Sequence, residues 1–189
     1  MTQADDAPAF DPKGQLRFDA TTGSALDAAN QRLLVVPCHA LDDLLKASGR
    51  KASSTFGAAV GKACGARVAS RLGGPEGVRR RGAETVLSHL AGELGVLGLG
   101  QVSIERWGRA MLFVVGGCAI ADDACVAQVF EGALGAATGR DARCLVLARN
   151  ADGARVLVAS ESGIERARAL LASGSSWTDV VVKLQEVTS

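Results

Sequence analysis

The stretch SSTFGAAVGKACGARVASRLG, Ser53–Gly73, decides how the rest of the chain must pack. Phe56, Val60, Cys64, Val68 and Leu72 recur at every fourth position and form a bulky ridge along a predicted helix. One position further on, Gly57, Gly61, Gly65 and Ala69 form a second ridge with almost no side chain. An interior glycine costs a helix about 1 kcal/mol relative to alanine, so this run costs about 3 kcal/mol. Natural domains are stable by only about 5–15 kcal/mol. Some close contact must offset the loss. A bare i±4 groove beside a full i±4 ridge suits helix-on-helix packing. An internal crossing, a subunit interface and backbone approaching a ligand all fit that groove. None of them names a reaction.

The totals narrow the setting. A length of 189 residues predicts one domain with at most a small appendage. The chain is 48% hydrophobic and 22% charged, enough for a packed core, and its 23 glycines make that core small-grained. A net charge of +1 gives no general attraction to nucleic acid or anionic lipid. No apolar run reaches the ~18 residues of a membrane span, and Lys62 and Arg67 interrupt the glycine helix itself. The polar, acidic start with Asp5 and Asp6 lacks the layout of a signal peptide. Five irregularly spaced cysteines suggest reduced thiols and a cytoplasmic location.

Working outward, residues 1–13 read as a mobile tail and 14–189 as a single α+β domain. Gln15–Phe18 predicts a short strand, and Arg32–Val36 a β-rich run ended by Pro37. A helix follows with Leu41, Leu44 and Leu45 on one stripe, closed by Gly49, and Ser53 is the expected cap of the glycine helix. Gly73-Gly74-Pro75 breaks that helix, and Glu76–Arg81 reads as a short basic connector. A second long helix spans about Ala83–Gly95, with Leu87, Leu90, Ala91 and Leu94 on one face. Gln101–Trp107 and Ala110–Val115 form a hairpin across Gly108-Arg109, and the second strand, apolar throughout, should be central. Asp122 and Asp123 open a third helix that points Val126, Phe130, Leu134 and Ala137 one way, with Gly132, Gly135 and Gly139 thinning its surface. A second hairpin joins Ala142–Ala148 to Arg155–Ala159 through Asn150–Gly153. Ser162-x-x-Glu165 and Ser176-x-x-Asp179 have capping-box spacing and start two final helices. The order predicts an antiparallel sheet of two hairpins packed against several long helices.

No catalytic constellation is assembled in the sequence. His39 and His89 are the only histidines, neither in H-E-x-x-H, and His89 falls off its helix's apolar stripe, where a polar face is expected. No serine sits in a G-x-S-x-G elbow, and the glycine-rich Gly92–Gly100 lies after a helix and before a strand, the wrong order for a dinucleotide fingerprint. Cys118, Cys125 and Cys144 are not in C-x-x-C spacing and read as small core thiols, so neither a metal nor a cofactor is expected. Arg79, Arg80 and Arg81 are the one basic concentration, either a solvated turn or a patch for an anion or an acidic partner. No aromatics are interleaved there for base stacking.

The segment Gly65–Ser160 resembles the small subunits of the TRAPP vesicle-tethering complexes and the related bacterial 4-vinyl reductase (hydrocarbon-binding) domains. The likeness runs through the small-residue helix with Gly61, Gly65 and Arg67-Val68, then Glu84–Ala91, the glycine-rich Leu94–Gly100 and the strand Val102–Glu105. It continues through Leu112–Val115, Phe130–Gly135, Arg143–Leu147 and Val156–Val158. The resemblance implies helices over an antiparallel sheet, dimerisation through helices, an apolar cavity, and a role as assembly subunit or hydrophobic-ligand sensor. The acylated cysteine of some TRAPP subunits is not carried over, because Gly77–Gly82 holds arginines and no cysteine.

The reading that follows is a non-catalytic, self-associating binding domain for a small apolar ligand, or else an adaptor subunit with no such ligand. Phe56, Val60, Cys64, Leu90, Leu94, Phe113 and Phe130 are the expected pocket, and Gly57, Gly61 and Gly65 the expected interface of a homodimer or hetero-oligomer.

Overall fold

A computed structural model describes residues 9–151 and 153–185 of the chain. Among them, three short strands, β1 (Leu16–Asp19), β2 (Ser24–Asp27) and β3 (Arg32–Leu33), form an antiparallel sheet in that order. Helix α1 (Cys38–Arg71) follows, then α2 (Gly74–Arg80) and α3 (Ala83–Val96). The main sheet holds β4 (Gln101–Trp107) and β5 (Ala110–Gly116), then, after α4 (Asp123–Thr138), β6 (Arg143–Asn150) and β7 (Gly153–Ala159). Helices α5 (Glu161–Ala172) and α6 (Trp177–Gln185) close the described chain. The α+β class with two antiparallel hairpins is as the sequence predicts.

The main sheet is ordered β4-β5-β7-β6, every pair antiparallel. The all-apolar β5 is central, as its composition requires, because both of its faces are covered. Phe113, Val115 and Val156 face a large core under α1, α3 and α4. Leu112, Leu157 and Leu147 face a smaller core with Ile164, Ala167, Val180 and Val181 of α5 and α6. Alternation along β5, β6 and β7 thus feeds two cores from one sheet.

Several boundaries move, each for a local reason. Gly49 sits at φ 79° and ψ 165° inside α1, a backbone that glycine adopts without strain, so the first segment ends there as expected. The helix resumes at once, however, and Ser53 is a fully buried interior residue rather than a cap. The basic connector is itself helical: Gly73, at φ 88°, turns the chain, and Pro75 suits the first turn of α2. Helix α5 is capped by Ser160, whose Oγ accepts from Gly163 N at 3.2 Å, so it starts ahead of the predicted Ser162 box. The Ser176 box forms as predicted, with Asp179 N donating to Ser176 Oγ and Ser176 N to Asp179 Oδ2.

Residues 1–8 of the expected tail lie outside the described residues, but Phe10 is packed. Its ring meets His89 edge-on at 5.9 Å and lies 5.1 Å beneath the Arg71 guanidinium. It fills a notch that Gly92 leaves in α3, where a Cβ would strike the ring. His89 is therefore buried, 2% exposed, and the polar face expected of it is covered by the N-terminal segment.

Candidate functional site

The glycine ridge is filled from within the chain. A Cβ at Gly57, Gly61 or Gly65 would fall on the carbonyl oxygen of Cys125, Val129 or Ala133, all on α4. Gly132 of α4 returns the contact, 2.7 Å from Cβ to the Ala58 carbonyl. These glycines form an intramolecular helix crossing, and the expectation that they form a subunit interface is corrected: α4 already occupies the groove.

That crossing also determines the fate of the expected pocket. Cys64, Leu90, Leu94, Phe113 and Phe130 converge on one region and are all essentially inaccessible, with the two phenylalanine rings stacked at 4.6 Å. Val60 packs against the same core from a half-buried position, while Phe56 is 39% exposed and stays outside it. None of the seven borders the cavity described next. Where backbone approaches backbone, the space that glycine opens is consumed. Burial pushes the Cys64 and Cys125 thiols up to about 11 and Cys144 higher still, as inert core thiols require.

A cavity of about 370 Å³ lies instead beneath α2. Its apolar lining is Val78, Ala83, Val86, Leu87, Met111 and Leu134, and Arg79, Arg81 and Arg140 border it with Thr138. The local sequence explains the geometry. Gly77 packs against the Leu72 carbonyl so closely that any Cβ would collide, folding α2 back over the end of α1. Val78 is thereby buried, and Arg79 is left exposed and paired with Glu76. At the other side α4 ends at Gly139, φ 68°, which swings Arg140 to the cavity. Thr138 Oγ donates to the Leu134 carbonyl at 2.8 Å, so its hydroxyl is satisfied internally. The sequence sets Leu87 and Leu134 on apolar stripes and clusters Arg79–Arg81, but nothing local to either signals that α2 brings them together.

A second polar cluster ties the small sheet to the helices. Glu93 of α3, almost fully buried, accepts from Arg67 Nε at 2.8 Å and pairs with Arg71. Arg67 also lies 3.6 Å from Asp27 at the end of β2. Burial opposes the Arg67 charge, but the hydrogen bond and charge of Glu93 outweigh it and raise its pKa. Among the described residues, no group of histidines, cysteines and acids gathers that could hold a metal ion. Nor is any helix of those residues long and apolar enough to cross a membrane.

In fold, this chain is similar to a sensory domain. The solved structure is that of the phenol-responsive sensory domain of the transcription activator PoxR with phenol, superposing with a TM-score of 0.57. The match covers 76% of this chain and 84% of that one at 16% identity, a likeness of fold. No family model matches the chain, and no curated protein does.

Proposed function

We propose that this chain is a non-catalytic sensory or carrier domain that binds a small apolar molecule in the cavity beneath α2. The observation that carries the reading is the cavity itself. At about 370 Å³ with a largely aliphatic wall, it falls within the ~300–1,000 Å³ typical of small-molecule sites. Burying each methylene of a ligand there contributes about 0.8 kcal/mol, so a modest apolar body suffices. The phenol-bound state of the sensory domain with the similar fold supports a ligand of that scale, as does the resemblance to hydrocarbon-binding domains. The ionisable groups that border the cavity are arginines, which hold charge but supply neither nucleophile nor proton at neutral pH.

Ala83 is exposed on the cavity's edge at the start of α3, where a large side chain can plug the space without entering the core. Ala83→Trp should abolish the thermal shift given by small apolar compounds while leaving the unliganded melting temperature within about 2 °C, a change of under 1 kcal/mol. Unaltered binding in that variant would remove the cavity from consideration.

A second reading, an adaptor that self-associates or joins a partner, draws on a different surface. Leu34, Val35 and Val36 follow β3 with 85%, 70% and 41% of their surface exposed, and Phe18 on β1 is 71% exposed. Native mass spectrometry of the protein and of a Leu34→Asp, Val35→Asp variant tests it. Loss of an oligomer in the variant supports an assembly role for this face, and a monomer in both samples removes it.

A further inference from the structure

The cavity's charge is one-sided, and that narrows what it can hold. Arg79 and Arg81 come from the end of α2 and Arg140 from just past α4, so arginines from two separate elements border the same aliphatic space. Among the described residues, no carboxylate borders it. The acids nearest in sequence are Glu76, which pairs with Arg79, and Glu84 and Asp141, which stand beside Ala83 and Arg140 in the chain but outside the lining. Cations near a helix C-terminus complement its dipole wherever on the rim they point. That effect does not explain why both helix ends border one apolar cavity.

We propose that the ligand is an amphiphilic monoanion, a small carboxylic acid whose apolar body fills the cavity and whose carboxylate meets the Arg79, Arg81 and Arg140 rim. This inference rests on the apolar-cavity reading above and specifies its ligand class. Guanidinium groups present paired N–H donors that match a carboxylate, and such charge-assisted bonds are about twice as strong as neutral ones. A neutral alcohol or phenol entering the same space offers the bordering arginines no anion. An amine meets like charge.

The test is calorimetric titration of the intact protein with matched ligand pairs at pH 7.5: octanoate against octan-1-ol and octylamine, and benzoate against phenol. The acid should bind at least about tenfold more tightly than its neutral partner, the gap corresponding to one good charge-assisted bond. The gap should narrow as salt rises from 50 to 500 mM, since the rim is open to solvent. The first pair and the second distinguish an aliphatic from an aromatic body. Arg79 and Arg140 are exposed, so Arg79→Gln with Arg140→Gln should fold normally and lose most of the acid's advantage while binding octan-1-ol as before. Equal affinity for acid and alcohol, both abolished by Ala83→Trp, overturns the anion assignment and leaves the apolar cavity standing. Preference for octylamine also overturns it. Binding by no member of either pair overturns both readings.

Discussion

Helix α4 makes two unlike contacts along its length. From Cys125 to Ala137 one side of it lies against α1, with glycines on both helices letting carbonyl groups sit where side chains would be. At its last turn Leu134 and Thr138 face α2 and α3 across open space. Both regions are built from small and aliphatic residues, yet one is closed and the other is not. Glycine on a long, straight crossing lets backbones meet, and the space disappears. A seven-residue helix perched on turns at Gly73 and Arg81 cannot follow its neighbours that closely, and the space remains.

The largest expected effect breaks the closed region. Gly61→Leu forces a side chain onto the Val129 carbonyl, a backbone atom that cannot swing aside. Overpacking of this kind costs on the order of 3 kcal/mol or more, a fall of about 6–12 °C in melting temperature for a chain of this size. An unchanged melting curve would show that α1 and α4 do not cross as described. Next comes Glu93→Gln, which leaves Arg67 and Arg71 facing a neutral group. Their side chains are 15% and 25% exposed, so water relieves part of the penalty, and about 2–3 kcal/mol should be lost in denaturant unfolding.

A smaller loss follows from Asp122→Ala. Asp122 caps α4 by accepting from Cys125 N at 2.9 Å, and such caps are worth about 1 kcal/mol. Burial pushes the Asp122 carboxyl upward, but the Cys125 N–H and the neighbouring Ser53 hydroxyl outweigh it and hold the pKa below the usual value. Its contribution is therefore complete above the unfolded carboxylate pKa of about 3.9 and disappears as pH falls through the lower folded value. The stability gap between variant and parent should narrow as pH falls below the unfolded value; a gap that does not shrink on acidification would contradict the cap.

The smallest effect has the opposite sign and sharpens the contrast. A Cβ at Gly135 has the Arg140 carbonyl at 3.9 Å as its nearest neighbour, so this glycine of α4 is not part of the close crossing. Gly135→Ala should gain up to about 1 kcal/mol from helix propensity alone. A loss comparable to that of Gly61→Leu would mean that all α4 glycines are equally constrained, contrary to the geometry.

The hairpins, the central strand and the α4 cap were legible because each depends on neighbours in sequence: Gly108-Arg109, the apolar Ala110–Val115, and Asp122 ahead of a helical stripe. The three edge residues Leu34–Val36 were legible as β-prone but not as exposed, since nothing local says whether a further strand will pair with them. The burial of His89 is illegible in the sequence for the same reason. Its exposure depends on Phe10, far away in the chain, arriving at Gly92.

The sequence by itself determined that Gly57, Gly61 and Gly65 would be buried against something close, because a helix cannot carry that propensity cost without a contact to offset it. Only the tertiary structure decided that the contact is α4 of the same chain, and that Cys64, Leu90, Leu94, Phe113 and Phe130 pack together in the core. It also decided where open space is left. Periodicity reports which face of a helix is apolar, but a cavity is a mismatch between elements distant in sequence. Here that mismatch arises where α2, held short between Gly73 and Arg81, meets α3, β5 and the end of α4 and does not fill the space between them.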